Sequence, residues 1–449
     1  MHPDEQRVAK MGLLTLAWPM FIEWLLTVSI GMVDAMILGY ISDQAAAAVG
    51  AVNVVIILAI TLLGTLASSG GIVLTQYLGA NRRDALPSLY RSLLQINLAA
   101  GLMLSLLMLL LAPVLPTLLA MPAPLHHDAT LFAAIVGGAL VAQALVWGFS
   151  AILNAHGQTR LTMTNSLAMN LGNALLSLYL VTHTDYGVAG VAVATVLSRL
   201  AGALNLYLMV RWFLRIPLPG TLQEWHRPPL WRPIARIALP ATLEPLSYYG
   251  NQAVLTAILA TLGIAALAAK SYVLSMVALV EVAAFAIAQA AQILTGHLAG
   301  AANWHQADRR KWQAVGYALL FTLLGGLPML LWRHELLALF TRDPQIIELG
   351  SQLLVAAVMV ALLKAYNFVA GSCLRAAGDA SFTAGVTIIC MWVISVPLGY
   401  LFAFSLGFGM LGIWLALAVD ELCRALLMAA RWHSGRWQSK SLASHCEVS

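Results

Sequence analysis

The sequence predicts an all-α integral membrane protein with about twelve transmembrane helices in two six-helix lobes. The first observation is composition: of 449 residues, 61% are hydrophobic and 10% are charged, whereas soluble domains are about 45–50% apolar and about 25% charged. The second is a series of long apolar runs, such as 13–40 and 93–119, which suffice to cross a hydrocarbon core of about 30 Å. The third is an internal repeat that divides the chain into two similar halves.

The apolar runs define twelve predicted helices. The first is expected to stay in the mature protein, because residues 1–12 carry mixed charges and the apolar run after them is too long for a signal peptide. The predicted helices lie near residues 13–40, 48–78, 92–119, 129–153, 161–182, 187–214, 234–260, 263–298, 312–332, 346–374, 380–405 and 409–432.

The basic residues predict the orientation of these helices. Alternate connections, together with both termini, hold eighteen of the 24 Lys and Arg residues, while the opposite loops hold two, Arg333 and Arg342. Loops rich in Lys and Arg face the cytoplasm, so both termini are expected there, in a bacterial inner membrane. The net charge of +5 is therefore a topology signal, and no nucleic-acid partner is expected.

The internal repeat has a nearly constant offset of 220–222 residues. Six helices per copy is an even number, so both copies insert in the same direction, as parallel repeats with the substrate site expected at their interface. The matching segments are 16–23 with 237–244, 73–81 with 293–303, 153–159 with 374–380, and 187–190 with 409–412. The predicted divisions are a cytoplasmic N-terminus (1–12), an N-lobe (13–214), a cytoplasmic linker (215–233), a C-lobe (234–432) and a cytoplasmic tail (433–449).

Several segments resemble the multidrug and toxic compound extrusion (MATE) family. Residues 33–39, which contain Asp34, are similar to its first-helix signature, and Asn170 and Asn173 lie in a stretch that resembles its Asn-rich turn. Residues 374–380 are similar to the loop after the tenth helix, and 412–437 resemble the YeeO-like branch. The resemblance implies an antiporter of the cytoplasmic membrane that exports organic solutes using a proton or sodium gradient. It also implies that Asp34, Asn170 and Asn173 couple the cation, with sodium possible at Asp34.

The sequence departs from the family pattern in the second lobe. Where many bacterial members carry carboxylates in helices seven and ten, this chain has Tyr248 or Tyr249 and Lys364. An Asp found four residues beyond the second Asn in many archaeal-type members is replaced by Ser177. These departures argue against a C-lobe sodium site of the common type.

Ionisable residues at membrane depth are costly and are functional hypotheses by default. Glu23 and Asp34 are eleven residues apart on one predicted helix, so they share a face within about 20° and lie roughly 16 Å apart. A carboxylate shielded from bulk water can bind a proton near neutral pH and lose it when water enters. The alternative for Asp34 is a structural carboxylate satisfied by helix ends and asparagines.

The other intramembrane charges leave two interpretations open. Glu23 and Glu244 are repeat equivalents, which favours either a paired cation site or a relic of the duplication. Lys270, Glu281 and Lys364 form with Glu244 a formally neutral set, either paired internally or with one lysine binding an anionic group of the substrate. In the twelfth helix, Asp420 and Glu421 stand four and three residues before Arg424, which are spacings that allow side chains on a helix to pair. These three charges are expected to be structural, and so is Arg199 of the sixth helix.

The favoured function is a secondary-active exporter of small organic compounds, cationic or flavin-like, acting as a monomer in the lipid bilayer. A lipid-linked precursor flippase of the same superfamily is the alternative, but a strongly basic cavity and extra helices would be expected of it. A membrane-embedded enzyme is less favoured because no nucleophile or metal constellation is evident. A channel is less favoured because channels usually form symmetric rings of several subunits, whereas this single chain has two repeated lobes. The four cysteines show no ligand spacing, and no Walker loop occurs, so neither a cofactor nor a resident metal is expected.

Overall fold

The computed structural model describes Val8, residues 11–216 and residues 230–441. Twelve long helices and no β-strand occur in this part of the chain, and each helix matches a predicted one. They are α1 (Leu13–Ile41), α2 (Asp43–Gly79), α3 (Leu86–Leu111), α4 (Ala123–Ala155), α5 (Thr159–His183), α6 (Gly187–Phe213), α7 (Trp231–Ala260), α8 (Ile264–Gly300), α9 (Trp304–Leu331), α10 (Pro344–Ala376), α11 (Ala380–Ser405) and α12 (Gly409–His433). Most of the predicted N-terminus, most of the linker and the last part of the tail lie outside the described residues.

Eight of the twelve helices are long and apolar enough by composition to cross a membrane. The remaining four, α1, α5, α7 and α12, contain 29, 25, 30 and 25 residues, and they carry most of the acidic and amide residues of the candidate sites, Glu281 of α8 being an exception. Pro19 and Pro240 lie inside α1 and α7. A proline inside a helix removes one backbone hydrogen bond, and these two precede Glu23 and Glu244 by four residues each.

Backbone conformation shows the internal repeat directly. Three of the residues with positive φ in the first half correspond to residues with positive φ in the second: Asn81 (58°) with Ala302 (53°), Gly157 (72°) with Gly378 (94°), and Gly187 (51°) with Gly409 (54°). The first pair corrects the alignment of the two halves by one residue, since the amino-acid types alone had matched Asn81 with Asn303. Non-glycine residues rarely adopt this conformation, so its recurrence at offsets of 221–222 residues identifies equivalent turns.

The described chain forms two compact units. The C-unit holds the described residues up to Phe21, the short segment Gly79–Asn81, and everything from Leu239 onward, and the N-unit holds the rest. The predicted N-lobe began at residue 13, but the first residues of α1 belong to the C-unit. The reason is burial: Leu13, Leu16 and Ala17 lie in a hydrophobic core with residues of α8 and α10.

The start of the predicted tail is folded onto the C-unit. Trp437 is 2% exposed, stacks on Trp432 with ring centroids 4.1 Å apart, and donates from Nε1 to the Trp432 carbonyl. Ser441 donates to the Ala299 carbonyl at 3.1 Å. A Cβ atom at Gly378 would lie 2.6 Å from the Lys440 carbonyl oxygen, so only glycine allows this approach. Residues 434–441 are thus part of the packed structure.

Candidate functional site

Asp34 and Asn173 form the first candidate site, inside the N-unit. Asn173 of α5 donates from Nδ2 to Oδ1 of Asp34 on α1 at 2.9 Å. Asn173 is buried and Asp34 is partly exposed, so the carboxylate lies between the helix packing and the accessible surface. The structure therefore brings together two of the three residues that the family resemblance indicated.

Glu23 forms a second contact between the same two helices. Thr162 of α5 lies 3.1 Å from Oε2 of Glu23, and the same hydroxyl is within 3.2 Å of Asn154 Oδ1 and 2.9 Å of the Thr159 carbonyl. Glu23 and Asp34 are eleven residues apart, and so are Thr162 and Asn173. Helices α1 and α5 consequently run side by side in the same direction, with Glu23 next to Thr162 and Asp34 next to Asn173.

Four buried polar atoms of α5 and α6 have no hydrogen-bond partner among the described residues: Asn170 Oδ1, Asn173 Oδ1, Ser177 Oγ and Arg199 Nη1. Asn170 and Ser177 lie three residues before and four residues after Asn173, on the same face of α5, and Arg199 is close enough to attract Asp34. Asn170 does not bond to Asp34, and its Nδ2 donates to the Ser166 carbonyl at 2.7 Å. Carboxylate, amide and hydroxyl oxygens are the ligands that hard cations prefer, so the oxygens of this set suit a bound cation, whereas the Arg199 guanidinium opposes one.

Arg199 lies on α6, the helix on which the sequence placed it. It lies in the N-unit, close enough for electrostatic attraction to Asp34, whereas Arg424 of α12 pairs with Asp420 and, at 3.6 Å, with Glu421. The expected pairing of the α12 charges is confirmed, and the structural role expected of Arg199 stays a prediction. The Arg199 guanidinium supplies one positive charge near Asp34, and any coupling cation at Asp34 must bind in the presence of that charge.

The repeat-equivalent glutamates have different partners. In the C-unit, Arg375 donates to Oε2 of Glu244 at 3.2 Å. The repeat places Arg375 at the position of Asn154, and in the N-unit Asn154 and Thr162 supply only neutral groups near Glu23. Glu23 is 8% exposed, and no Lys or Arg among the described residues pairs with it. The duplication therefore left one glutamate neutralised by a cation and the other buried without one.

A cavity of about 50 Å³, lined by apolar and charged side chains, lies within the C-unit. Lys364 of α10 donates to Oε1 of Glu281 on α8 at 2.9 Å, which confirms pairing for two of the four charges that were expected to neutralise one another. The other charged side chains that line the cavity are Lys270 and, on α12, Asp420, Glu421 and Arg424. The aromatic residues of the lining include Tyr248 and Trp414.

Four functional or structural contacts were missed by the sequence reasoning. Arg375 and Thr162 carried no signal of their own, but their repeat positions relative to the glutamates could have drawn attention to them. Asp379 pairs with Arg431 at 2.7 Å, and Lys311 is fully buried with Nζ 3.7 Å from the centre of the Trp312 ring. Lys311 and Arg431 had been counted only among the basic residues of the loops and termini, and Asp379 had been noted only as part of the segment 374–380. Among the described residues, no group of three His, Cys, Asp or Glu could hold a metal ion.

Comparison with known proteins places this helical architecture among transporters. The MatE family profile matches residues 19–180 and again residues 240–401, so the two matches repeat the internal duplication. The uncharacterized transporter YisQ of Bacillus subtilis is 33% identical over 440 residues, 96% of each chain. A probable multidrug resistance protein NorM of Thermotoga maritima is 25% identical over 452 residues, 99% of this chain and 97% of the relative.

Solved structures agree on the fold. A multidrug resistance MATE transporter in an outward-facing conformation has a TM-score of 0.89 at 19% identity, covering 97% of this chain and 99% of that one. A MATE protein in a bent conformation also has a TM-score of 0.89, at 18% identity over 100% of both chains. The YeeO-like branch is not confirmed by these comparisons and stays a prediction.

Proposed function

Because this multi-pass membrane protein belongs to the MATE family of multidrug and toxic compound efflux transporters, we propose that it is a secondary-active antiporter. It exports small organic compounds, and a proton or sodium ion moving inward drives the export. The observation that carries this proposal is the Asp34 carboxylate, held by Asn173 at 2.9 Å beside buried oxygens that have no partner among the described residues. The protein acts on its substrates by moving them, and it is not an enzyme.

The chemistry of coupling needs a carboxylate that binds a cation in one state and releases it in another. A charged carboxylate at membrane depth is costly, so a proton or sodium ion on Asp34 stabilises the state in which the site is closed to water. Water entering the site solvates the carboxylate and lowers the cost of release. Glu23, buried on the same helix without a cationic partner among the described residues, is the second group that could take up a proton.

Proton and sodium coupling make different demands on the site. A proton needs only the carboxylate oxygen, and the Asn173 donor can remain in place. Sodium needs several oxygens, which Asp34 can supply together with Asn173 Oδ1, Ser177 Oγ and Asn170 Oδ1 after small side-chain rotations. The nearby Arg199 guanidinium opposes the binding of either ion, since a proton and a sodium ion each bring one unit of positive charge to Asp34.

The proposed location is the bacterial inner membrane, with both termini in the cytoplasm and the chain active as a monomer. The support for orientation is the distribution of eighteen cations on one side against two on the other. The proposed substrates are cationic or flavin-like organic compounds. Relatives such as the Thermotoga maritima protein are described as probable multidrug resistance proteins, which supports a broad range of organic solutes.

The experiment uses purified protein in liposomes and follows export of ethidium under an imposed proton gradient, an imposed sodium gradient, or neither. Asp34→Asn keeps the shape and the hydrogen bond to Asn173 but removes the titrating charge, so gradient-driven export should be lost. The matched control is Asp185→Asn, because Asp185 is an exposed acid of the same unit outside the site. This control should export at the wild-type rate.

Two results would contradict the proposal. Asp34→Asn protein that exports at near the wild-type rate under a gradient would exclude Asp34 as the coupling residue and move attention to Glu23. Wild-type protein that equilibrates a broad panel of organic cations and flavins equally fast with and without either gradient would exclude antiport altogether. Size-exclusion profiles of both variants show whether a loss of export reflects misfolding.

A further inference from the structure

Lys270 differs from the other charged residues of the C-unit cavity. Lys364 pairs with Glu281, and Arg424 pairs with both Asp420 and Glu421. Lys270 has no carboxylate within ion-pair distance in the described part of the chain, and its one hydrogen bond goes from Nζ to Thr256 Oγ1 at 2.6 Å. It is therefore the cavity cation whose charge the protein leaves uncompensated.

The bond to Thr256 fixes the Lys270 ammonium inside the unit. The Thr256 hydroxyl donates its own proton to the Gln252 carbonyl at 2.6 Å, so its lone pair is free to accept from Lys270. A lysine near a helix end commonly extends its side chain toward water, but this one is held against α7. An ammonium group has three protons to donate, and only one is used here.

Apolar side chains predominate around this end of the cavity. Leu255, Leu259, Leu274 and Val277 line it together with Lys270 and the polar Gln252. Leu255 and Leu259 are buried, whereas Leu274 is exposed and Lys270 is partly exposed. Electrostatic attraction is stronger in such surroundings than in water. An uncompensated cation there is costly, and an anionic group that accepted the two free protons would remove that cost.

The charges of the cavity are also unevenly distributed. Lys270 and Glu281 are eleven residues apart on α8, which separates them by about 16 Å along the helix. At the α12 side, two carboxylates share one guanidinium, so that side is negative on balance while the Lys270 side is positive. An anionic group is attracted to one end only, which would orient any elongated compound that carries it.

We propose that the Lys270 end of this cavity binds the carboxylate of a transported organic acid, with Lys270 as the charge partner and Thr256 as its positioning residue. The inference rests on the proposed export function and adds organic acids to the cationic or flavin-like substrates proposed above. The cavity of about 50 Å³ has room for a few water molecules or one small polar group. In this state it accepts the carboxylate itself, and the body of the acid lies outside the present cavity.

The test is a ligand-detected NMR titration of the full-length protein in detergent with benzoate, benzyl alcohol and benzylamine, which share a ring and differ in charge. Wild type should bind benzoate at least about tenfold more tightly than benzyl alcohol, because a hydrogen bond to a charged group contributes at least about the free energy of a tenfold change in affinity. Benzylamine should bind most weakly of the three. Lys270→Gln should remove the preference for benzoate. Lys440→Gln, the same substitution at an exposed lysine, should keep it.

Several outcomes would overturn the proposal. Equal affinity of wild type for benzoate and benzyl alcohol, or tighter binding of benzylamine, would do so without any variant, even if Lys270→Gln failed to fold. An unchanged benzoate preference in folded Lys270→Gln would also exclude Lys270. Binding in detergent needs no gradient, so protein that exports ethidium but shows no benzoate preference refutes only the carboxylate site. Protein that prefers benzoate but exports nothing refutes only the export function.

Discussion

Gly412→Ala tests the packing that holds α12 in the C-unit. A Cβ atom at Gly412 would lie 2.6 Å from the Phe402 carbonyl carbon and 2.8 Å from Ala403 N, whereas ordinary contacts begin at 3.4 Å. The backbone must therefore yield by about 0.8 Å, and overpacking of this kind costs typically about 1–3 kcal/mol. Alanine regains up to about 1 kcal/mol over glycine in a helix. Because the obstacle is backbone, the cost lies near the upper limit and the net loss of stability should be about 2 kcal/mol.

The matched control is Gly385→Ala in α11, where no atom lies within 4 Å of the added Cβ. Without a clash, only the helix preference remains, so this variant should be more stable than wild type by about 0.5–1 kcal/mol. The assay is thermal unfolding of the purified proteins in one detergent, followed by fluorescence-detected size exclusion. Equal midpoints for Gly412→Ala and wild type would refute the reasoning, and a large loss in Gly385→Ala would show that the assay reports something other than the clash.

Two further predictions concern the repeat and the topology. Arg375→Asn, which gives the C-unit the residue found at its repeat position, should destabilise the protein by less than the about 3–5 kcal/mol typical of a broken buried pair, because the Arg375 and Glu244 side chains are 20% and 26% exposed. Adding Glu244→Gln should recover most of that loss in thermal unfolding, and a double variant as unstable as Arg375→Asn would show that the pair is not the cause. In a cysteine-free background, Ser439→Cys, an exposed position, should resist an impermeant maleimide in intact cells and react after permeabilisation, and labelling in intact cells would invert the proposed orientation.

The sequence by itself determined the class of fold, the twelve helices and their repeat. These features depend on local quantities that the chain carries position by position. Apolar runs set the helices because lipid cannot satisfy backbone polar groups, and Gly157, Gly187, Gly378 and Gly409 recur because equivalent turns need positive φ. Asp34 and Asn173 could be placed together only through the family resemblance, since the residues themselves are 139 positions apart.

Only the tertiary structure decided which charges have partners. The formal count of Glu244, Lys270, Glu281 and Lys364 is neutral, and from the sequence it was open whether all four pair with one another. In the structure Glu244 takes Arg375 instead, and Lys270 is left with Thr256. Pairing depends on which side chains of distant helices come within a few ångströms, and that distance is set by helix packing and bends. The same reason explains why Glu23 and Glu244, alike in sequence, have different surroundings in the folded protein.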